Sequence, residues 1–195
     1  QARAFLMDDL APLVRAFFDS DRFFECSPRG LGLWAPIINW YVEHSKDAVL
    51  DGYMANVNFS SLFKSKREET RVRFKSFHRL CFILYAGEGA RLLSKRRLKF
   101  LLEAIRDALR EGELLSSILV VLFFCLRIVV FKAPPDSSAE IFSIVWPTVF
   151  SLLVQILKGQ LLPAEPNVKL AALKLLEAFC VDGIDQVYLH YFALG

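Results

Sequence analysis

The sequence has few of the residues from which catalytic and metal centres are built. Its 195 residues include only three histidines, His44, His78 and His190, and four cysteines, Cys26, Cys81, Cys125 and Cys180. The cysteines lie tens of residues apart with no Cys-x-x-Cys pair, so neither a zinc site nor a redox dithiol is indicated. Three of them fall on apolar helix faces, where free cysteine acts as a small hydrophobe, a usage that suits a reducing compartment. A Gly-rich phosphate loop, a Gly-x-Ser-x-Gly elbow and a His-Glu-x-x-His pair are all missing. Cys26 and His44 together are thin support for a thiol enzyme and read better as two unrelated residues. Asp8-Asp9 reads as a solvated helix face and Asp19-x-Asp21 as capping groups, because no recurring carboxylate spacing makes a calcium loop. No catalytic residue, metal ligand or cofactor is expected.

Targeting signals and long apolar runs are also scarce. The start, Gln1-Ala2-Arg3-Ala4, lacks the basic-then-apolar order of a signal peptide. It also lacks an initiator Met, so the chain is expected to be a fragment of a longer protein, and its end looks cut rather than capped. The best membrane-span candidate, Ile118 to Phe131 (ILVVLFFCLRIVVF), covers about 21 Å as a helix, against a bilayer core of about 30 Å. Arg127 interrupts it. A core helix buried on all sides explains it better, and the chain is expected to be soluble and intracellular.

Strand signals are weak throughout: no Asn-Gly hairpin turn and no long alternating run. Helical periodicity is everywhere instead. Phe5 to Phe18 carries Leu6, Leu10, Leu13, Val14 and Phe17 at three- and four-residue spacing, with Pro12 expected to divide it. Ser27-Pro28 is a helix start; beyond it Leu33, Trp34, Ile37, Ile38, Tyr41 and Val42 trace one apolar stripe, and Pro36 should kink or delay the helix. Lys46 to Val57 is a shorter helix. Lys66 to Tyr85 is long and amphipathic, with Phe74, Phe77, Cys81, Leu84 and Tyr85 inward, and Gly87-Glu88-Gly89 ends it. Ser94 caps Lys95 to Glu111, Glu113 to Phe131 follows, and Pro134 to Ser138 is a loop. Ser138 to Lys158 is kinked at Pro147, Pro163 to Pro166 is a linker, and Asn167 caps a last helix to Val181. The expected fold is all-α: about eight helices in antiparallel succession, either a HEAT- or armadillo-like array with units 95–111/113–131 and 138–158/167–181, or an irregular helical bundle.

What the chain has in quantity is apolar surface and locally clustered cations. It is 54% hydrophobic with 18 phenylalanines, so either the core is thick or another chain covers part of it. Leu101, Ala108, Leu115, Leu122 and Val129 keep a seven-residue spacing, but Gly112 breaks any zipper, and intramolecular packing is preferred. The rings between Phe17 and Trp40 are mostly core, with some left as candidate anchors for a partner or a second copy.

The net charge of +3 is too small to imply nucleic acid. Lys64, Arg71, Lys75 and Arg79 nevertheless follow a 7-4-4 spacing on one helix face away from the phenylalanines. Lys95, Arg96, Arg97 and Lys99 crowd the first turns of the next helix, where cations oppose the helix dipole. Two readings stand: a binding surface for anionic lipid headgroups, or a solvated face diluted by Glu68, Glu69 and Glu103. Nucleic acid is disfavoured, since no exposed aromatic platform is interleaved with these charges.

The stretch Phe17-Phe18-Asp19-Ser20-Asp21-Arg22-Phe23-Phe24-Glu25-Cys26-Ser27-Pro28-Arg29 resembles the C-terminal region of the Dopey family. Trp146-Pro147-Thr148 with the apolar Val149 to Leu157, and Leu122-Phe123-Phe124 with Arg127, are also similar to it; the likeness runs from about Leu13 to Leu161. Gly30, Gly32 and Pro36 depart from the pattern of animal members. The resemblance implies a single C-terminal helical domain, residues 1–195, of a much longer non-enzymatic protein that is peripheral on the cytoplasmic face of Golgi and endosome membranes and acts in endosome-to-Golgi and Golgi transport. It implies a large scaffold related to Arf exchange factors and a type-IV P-type ATPase flippase as partners, with membrane binding and a possible homodimer. The motif residues are expected to serve the fold: Asp19 and Ser27 as caps, Pro28 as helix starter, and Phe17, Phe23 and Phe24 as core. A purely structural terminal unit of a long helical-repeat protein, with no ligand of its own, is the competing expectation.

Overall fold

The computed structural model describes residues 2–45, 47–58, 65–111, 116–160 and 165–182. Among them are nine α-helices and no strand: α1 (Ala2–Asp19), α2 (Pro28–His44), α3 (Ala48–Val57), α4 (Lys66–Ala86), α5 (Gly89–Leu92), α6 (Lys95–Arg110), α7 (Ser116–Lys132), α8 (Ser138–Leu157) and α9 (Pro166–Asp182). Two 3-10 turns, Asp21–Glu25 and Pro135–Ser137, join neighbouring helices. The chain is an all-α array.

Local chemistry explains most boundaries. The hydroxyls of Ser27, Ser65 and Ser94 accept the backbone N–H groups of Gly30, Glu68 and Arg97, satisfying donors that the first helical turn leaves orphaned. Gly87 closes α4, its N–H donating to the Ile83 carbonyl at 2.9 Å. A side chain on Gly89 would meet the Lys132 backbone, so glycine is what lets the α4–α5 corner lie against the end of α7.

Several expectations change. Pro12 does not divide α1, and Pro36 and Pro147 lie within continuous α2 and α8. All three prolines are on exposed faces, where water can take the carbonyl freed one turn earlier. The last helix begins at Pro166, a residue suited to the first helical position, so Asn167 lies inside α9 rather than capping it. The Lys46 start of the third helix, the Gly112 break and the first half of the 163–166 linker fall outside the described residues, as does Leu115.

The packing order also differs from the expected hairpin units. The widest contacts join α7 to α9, then α4 to α7, α6 to α8 and α3 to α4, while the sequence neighbours α6/α7 and α8/α9 touch far less. Helices therefore stack mainly on partners further along the chain, with α4, α7 and α9 in one layer and α6 and α8 in another. One apolar cluster runs through all of it. Leu101, Ala108, Leu122 and Val129 are buried inside it, so the described part of the seven-residue repeat serves the chain's own core. Among the described residues the stretch long and apolar enough to cross a bilayer is Pro135–Leu157, not Ile118–Phe131. Its Val145, Trp146, Val149 and Ile156 are buried in the core cluster, while more than half of its apolar window is not buried.

Candidate functional site

The two cationic groups meet different fates. The first lies on α4, whose N-terminal half is solvent-exposed but whose residues from Ser76 to Leu84 are enclosed on nearly all sides. Arg79 belongs to the enclosed half and is only 3% exposed. Its Nε donates to the Phe18 carbonyl and its Nη2 to the Ser20 carbonyl, both at 2.8 Å. The guanidinium also lies 5.9 Å from the Phe18 ring centroid and 5.4 Å from that of Phe24, with Asp19 4.0 Å away. This planar donor fork therefore closes the α1 corner and is not part of a membrane-facing surface. A single exposed face drawn along α4 by spacing alone fails at Arg79, because burial changes along the helix.

The other α4 cations find partners at the same corner. Lys75 lies 2.5 Å and Arg71 3.5 Å from Asp21. The Lys75 ammonium hydrogen-bonded to Asp21 holds that carboxyl below its usual range. Asp19 is no cap: it accepts from the Tyr53 hydroxyl and pairs with Arg15. Burial, reinforced by that carboxylate, pushes the Tyr53 phenol up. Lys64 falls outside the described residues.

The aromatic motif is architecture. Phe18 and Phe23 are fully buried and meet edge to face, 4.9 Å between centroids. Phe17 stacks on Trp34 at 4.7 Å and Phe24 on His78 at 3.7 Å. Phe18 joins Phe23 at the centre of the core, although the reading of the motif names Phe17, Phe23 and Phe24 as core. Burial, with the nearby Arg79 charge, lowers the His78 pKa to about 4. Ser27 and Pro28 start α2 as expected, and Arg29 is exposed beside them. Trp146 packs on Phe179 at 5.0 Å. Cys26 donates to the Arg22 carbonyl ahead of α2, while His44 stacks on Trp40 at its far end, about 25 Å along the helix. No thiol–imidazole pair forms between them. Among the described residues no group of three His, Cys, Asp or Glu side chains is placed to hold a metal.

The second cationic group, on α6, keeps part of its charge outward. Arg97 is spent internally: its Nε and Nη2 grip the two Asp51 oxygens at 2.9 Å each, and its Nη1 reaches Asp47 at 3.1 Å. That grip ties α6 to the start of α3. Lys95, Arg96 and Lys99 are exposed and form no ion pair among the described residues. No family model, curated protein or solved structure matches the chain.

Two residues beside these cations are absent from the spacing-based set. Phe100 is 37% exposed, and Glu103 is half-buried with no ion pair among the described residues. Their signal is angular. The buried stripe of α6 is Leu98, Leu101, Leu102, Ile105 and Leu109, and at 100° per residue Phe100 lies opposite it, on the side of Arg96, Lys99 and Glu103. Together with Met54 and Ala55 of α3 these side chains line a cleft of about 670 Å³. A larger cavity of about 1090 Å³, lined by Phe74, Phe77 and Ile118, opens where α4 and α7 begin.

Proposed function

We propose that this chain is a non-catalytic membrane-trafficking scaffold module, a Dopey-like C-terminal helical domain acting in endosome-to-Golgi and Golgi transport. It approaches anionic membrane through Lys95, Arg96 and Lys99, with Phe100 beside them. The observation that carries this reading is that combination: three exposed cations that form no ion pair among the described residues, beside a partly exposed ring that lies opposite the core stripe of α6. Each cation near an anionic surface contributes about 1 kcal/mol, and an aromatic ring suits the interface. The set proposed at the sequence level shrinks accordingly. Arg79 and Arg97 are structural, Arg71 and Lys75 share the single negative charge of Asp21, and Lys64 is outside the described residues.

The resemblance supplies the partners proposed here, a large scaffold related to Arf exchange factors and a type-IV P-type ATPase flippase. Contacts with them, or with a second copy, would use the apolar faces left outward on the helices. The test of the membrane reading is co-sedimentation with vesicles of phosphatidylcholine and one-fifth anionic lipid. Arg96→Glu with Lys99→Glu should abolish binding without changing the fold; binding that survives makes the patch an ordinary solvated surface.

A second reading is favoured by one observation. Leu13 and Leu33 are about two-thirds exposed on α1 and α2, and Leu170 and Leu173 are more than half exposed on α9. Apolar helix faces at the two ends of an array are what further repeats would cover, as in a structural unit without a ligand. Light scattering over a concentration series tests self-association: a dimer at low micromolar concentration assigns those faces to a second copy, and a clean monomer favours the structural unit.

A further inference from the structure

We infer that the cleft between α3 and α6 is a headgroup site for a single phosphatidylserine molecule. This rests on the membrane reading above and sharpens it from a charged surface to a specific ligand. The basis is a match of charges. Arg97 and Asp51 are both on the cleft wall but are committed to one another through paired hydrogen bonds of 2.9 Å, with Asp47 on the remaining nitrogen of Arg97. What remains in the lining is two cations, Arg96 and Lys99, and one carboxylate, Glu103. None of the three forms an ion pair among the described residues, and all are on one helix face within about 10 Å along the axis.

A surface meant only for negative charge gains nothing from Glu103, which repels every phosphate brought to Arg96 and Lys99. A ligand with two negative groups and one positive group turns that repulsion into attraction. The phosphatidylserine headgroup has those charges: a phosphodiester and a carboxylate for Arg96 and Lys99, and an ammonium for Glu103. Phosphatidylglycerol and phosphatidic acid lack the ammonium, and phosphatidylethanolamine lacks the second anion. The rest of the lining suits the lipid beneath the headgroup: Met54, Ala55 and Phe100 give the cleft an apolar wall, and about 670 Å³ is within the range of small-molecule sites. The helix N-terminus is not the ligand's anchor, since the Ser94 hydroxyl already accepts the Arg97 N–H there.

The experiment is vesicle co-sedimentation of the full chain. One vesicle set is phosphatidylcholine with one-fifth phosphatidylserine, and the other has phosphatidylglycerol at equal charge. The expected result is about fivefold tighter binding to phosphatidylserine, the scale of one partly exposed ion pair. Glu103→Gln should bring the two to equality, and Glu103→Lys should make phosphatidylglycerol the better ligand, with circular dichroism confirming that each variant folds. Equal binding of the two vesicles by the wild-type chain overturns the site. If Arg96→Glu with Lys99→Glu still abolishes that equal binding, the charged-surface reading survives on its own. Failure of the wild-type chain to bind either vesicle removes both. Displacement of the chain from vesicles by a micromolar phosphoserine peptide overturns the lipid assignment in favour of a protein ligand.

Discussion

The cations of α4 and those of α6 look alike as sequence and differ as structure. On α4, Arg71 and Lys75 share Asp21, and Arg79 is sealed against two backbone carbonyls. Of the four cations that open α6, Lys95, Arg96, Arg97 and Lys99, only Arg97 pairs with carboxylates among the described residues, and the other three stay outward. The difference is made by what packs alongside. Arg71, Lys75 and Arg79 face the Asp19–Asp21 corner, which supplies both anions and backbone carbonyls. The outward cations of α6 have one uncommitted carboxylate, Glu103, on their face. A cationic cluster is a binding surface only to the extent that the protein's own acceptors have not already claimed it.

The strongest challenge to this contrast is Arg79→Ala. It removes the guanidinium donors to the Phe18 and Ser20 carbonyls, leaving Ser20 only the Phe23 N–H, and should cost about 3 kcal/mol in urea unfolding. Arg79→Lys should recover only part, since a point ammonium cannot serve both carbonyls. A loss under 1 kcal/mol would put Arg79 back among the surface cations. Next in size is the Arg96→Glu, Lys99→Glu pair, which should weaken anionic-vesicle affinity about a hundredfold and move unfolding stability by less than about 0.5 kcal/mol. A large stability loss there would mean that α6 resembles α4 after all.

His78 sharpens the contrast through pH. Its folded-state pKa, about 4, lies below the unfolded value of 6.5. Below pH 6.5 the unfolded chain binds a proton that the folded chain refuses. Stability is therefore lost as pH falls from about 6.5 to about 4, and is fully present above 6.5. Because the ring is partly exposed, about 1–2 kcal/mol is expected after allowing for solvent screening. His78→Phe, keeping the stack on Phe24, should flatten that window in pH-dependent urea curves. The smallest effect is Arg71→Ala: its exposed pair with Asp21 should leave the urea midpoint nearly unmoved, with vesicle binding unchanged. A drop in vesicle binding would return Arg71 to the membrane surface.

Element type was legible because helix formation is local. The Ser27-Pro28 start, the Ser94 cap and the Gly87 stop act within four residues of themselves, and the structure keeps all three. What the sequence hid is set by residues far apart along the chain. Arg79 meets carbonyls about sixty positions away, and Arg97 meets carboxylates nearly fifty away. The one-turn α5 is too short to leave a periodic pattern. Pro12 predicted a division that α1 does not show, because on an exposed face water can take the freed carbonyl. Phe100 is different, since its position opposite the Leu98–Leu109 stripe is written in the sequence, and only attention to charge alone passes over it.

The stacking of α7 on α9 has a consequence for how the chain is made. Half of what α7 buries itself against, α4, precedes it, but α9 is finished only roughly fifty residues after α7 ends. At a synthesis rate of roughly 5–20 residues per second, one flank of ILVVLFFCLRIVVF stays wet for about 3–10 s on a growing chain. That interval is long enough for holding chaperones to engage it, and the ribosome-bound intermediate, rather than the finished fold, is where this protein is most prone to stick to others.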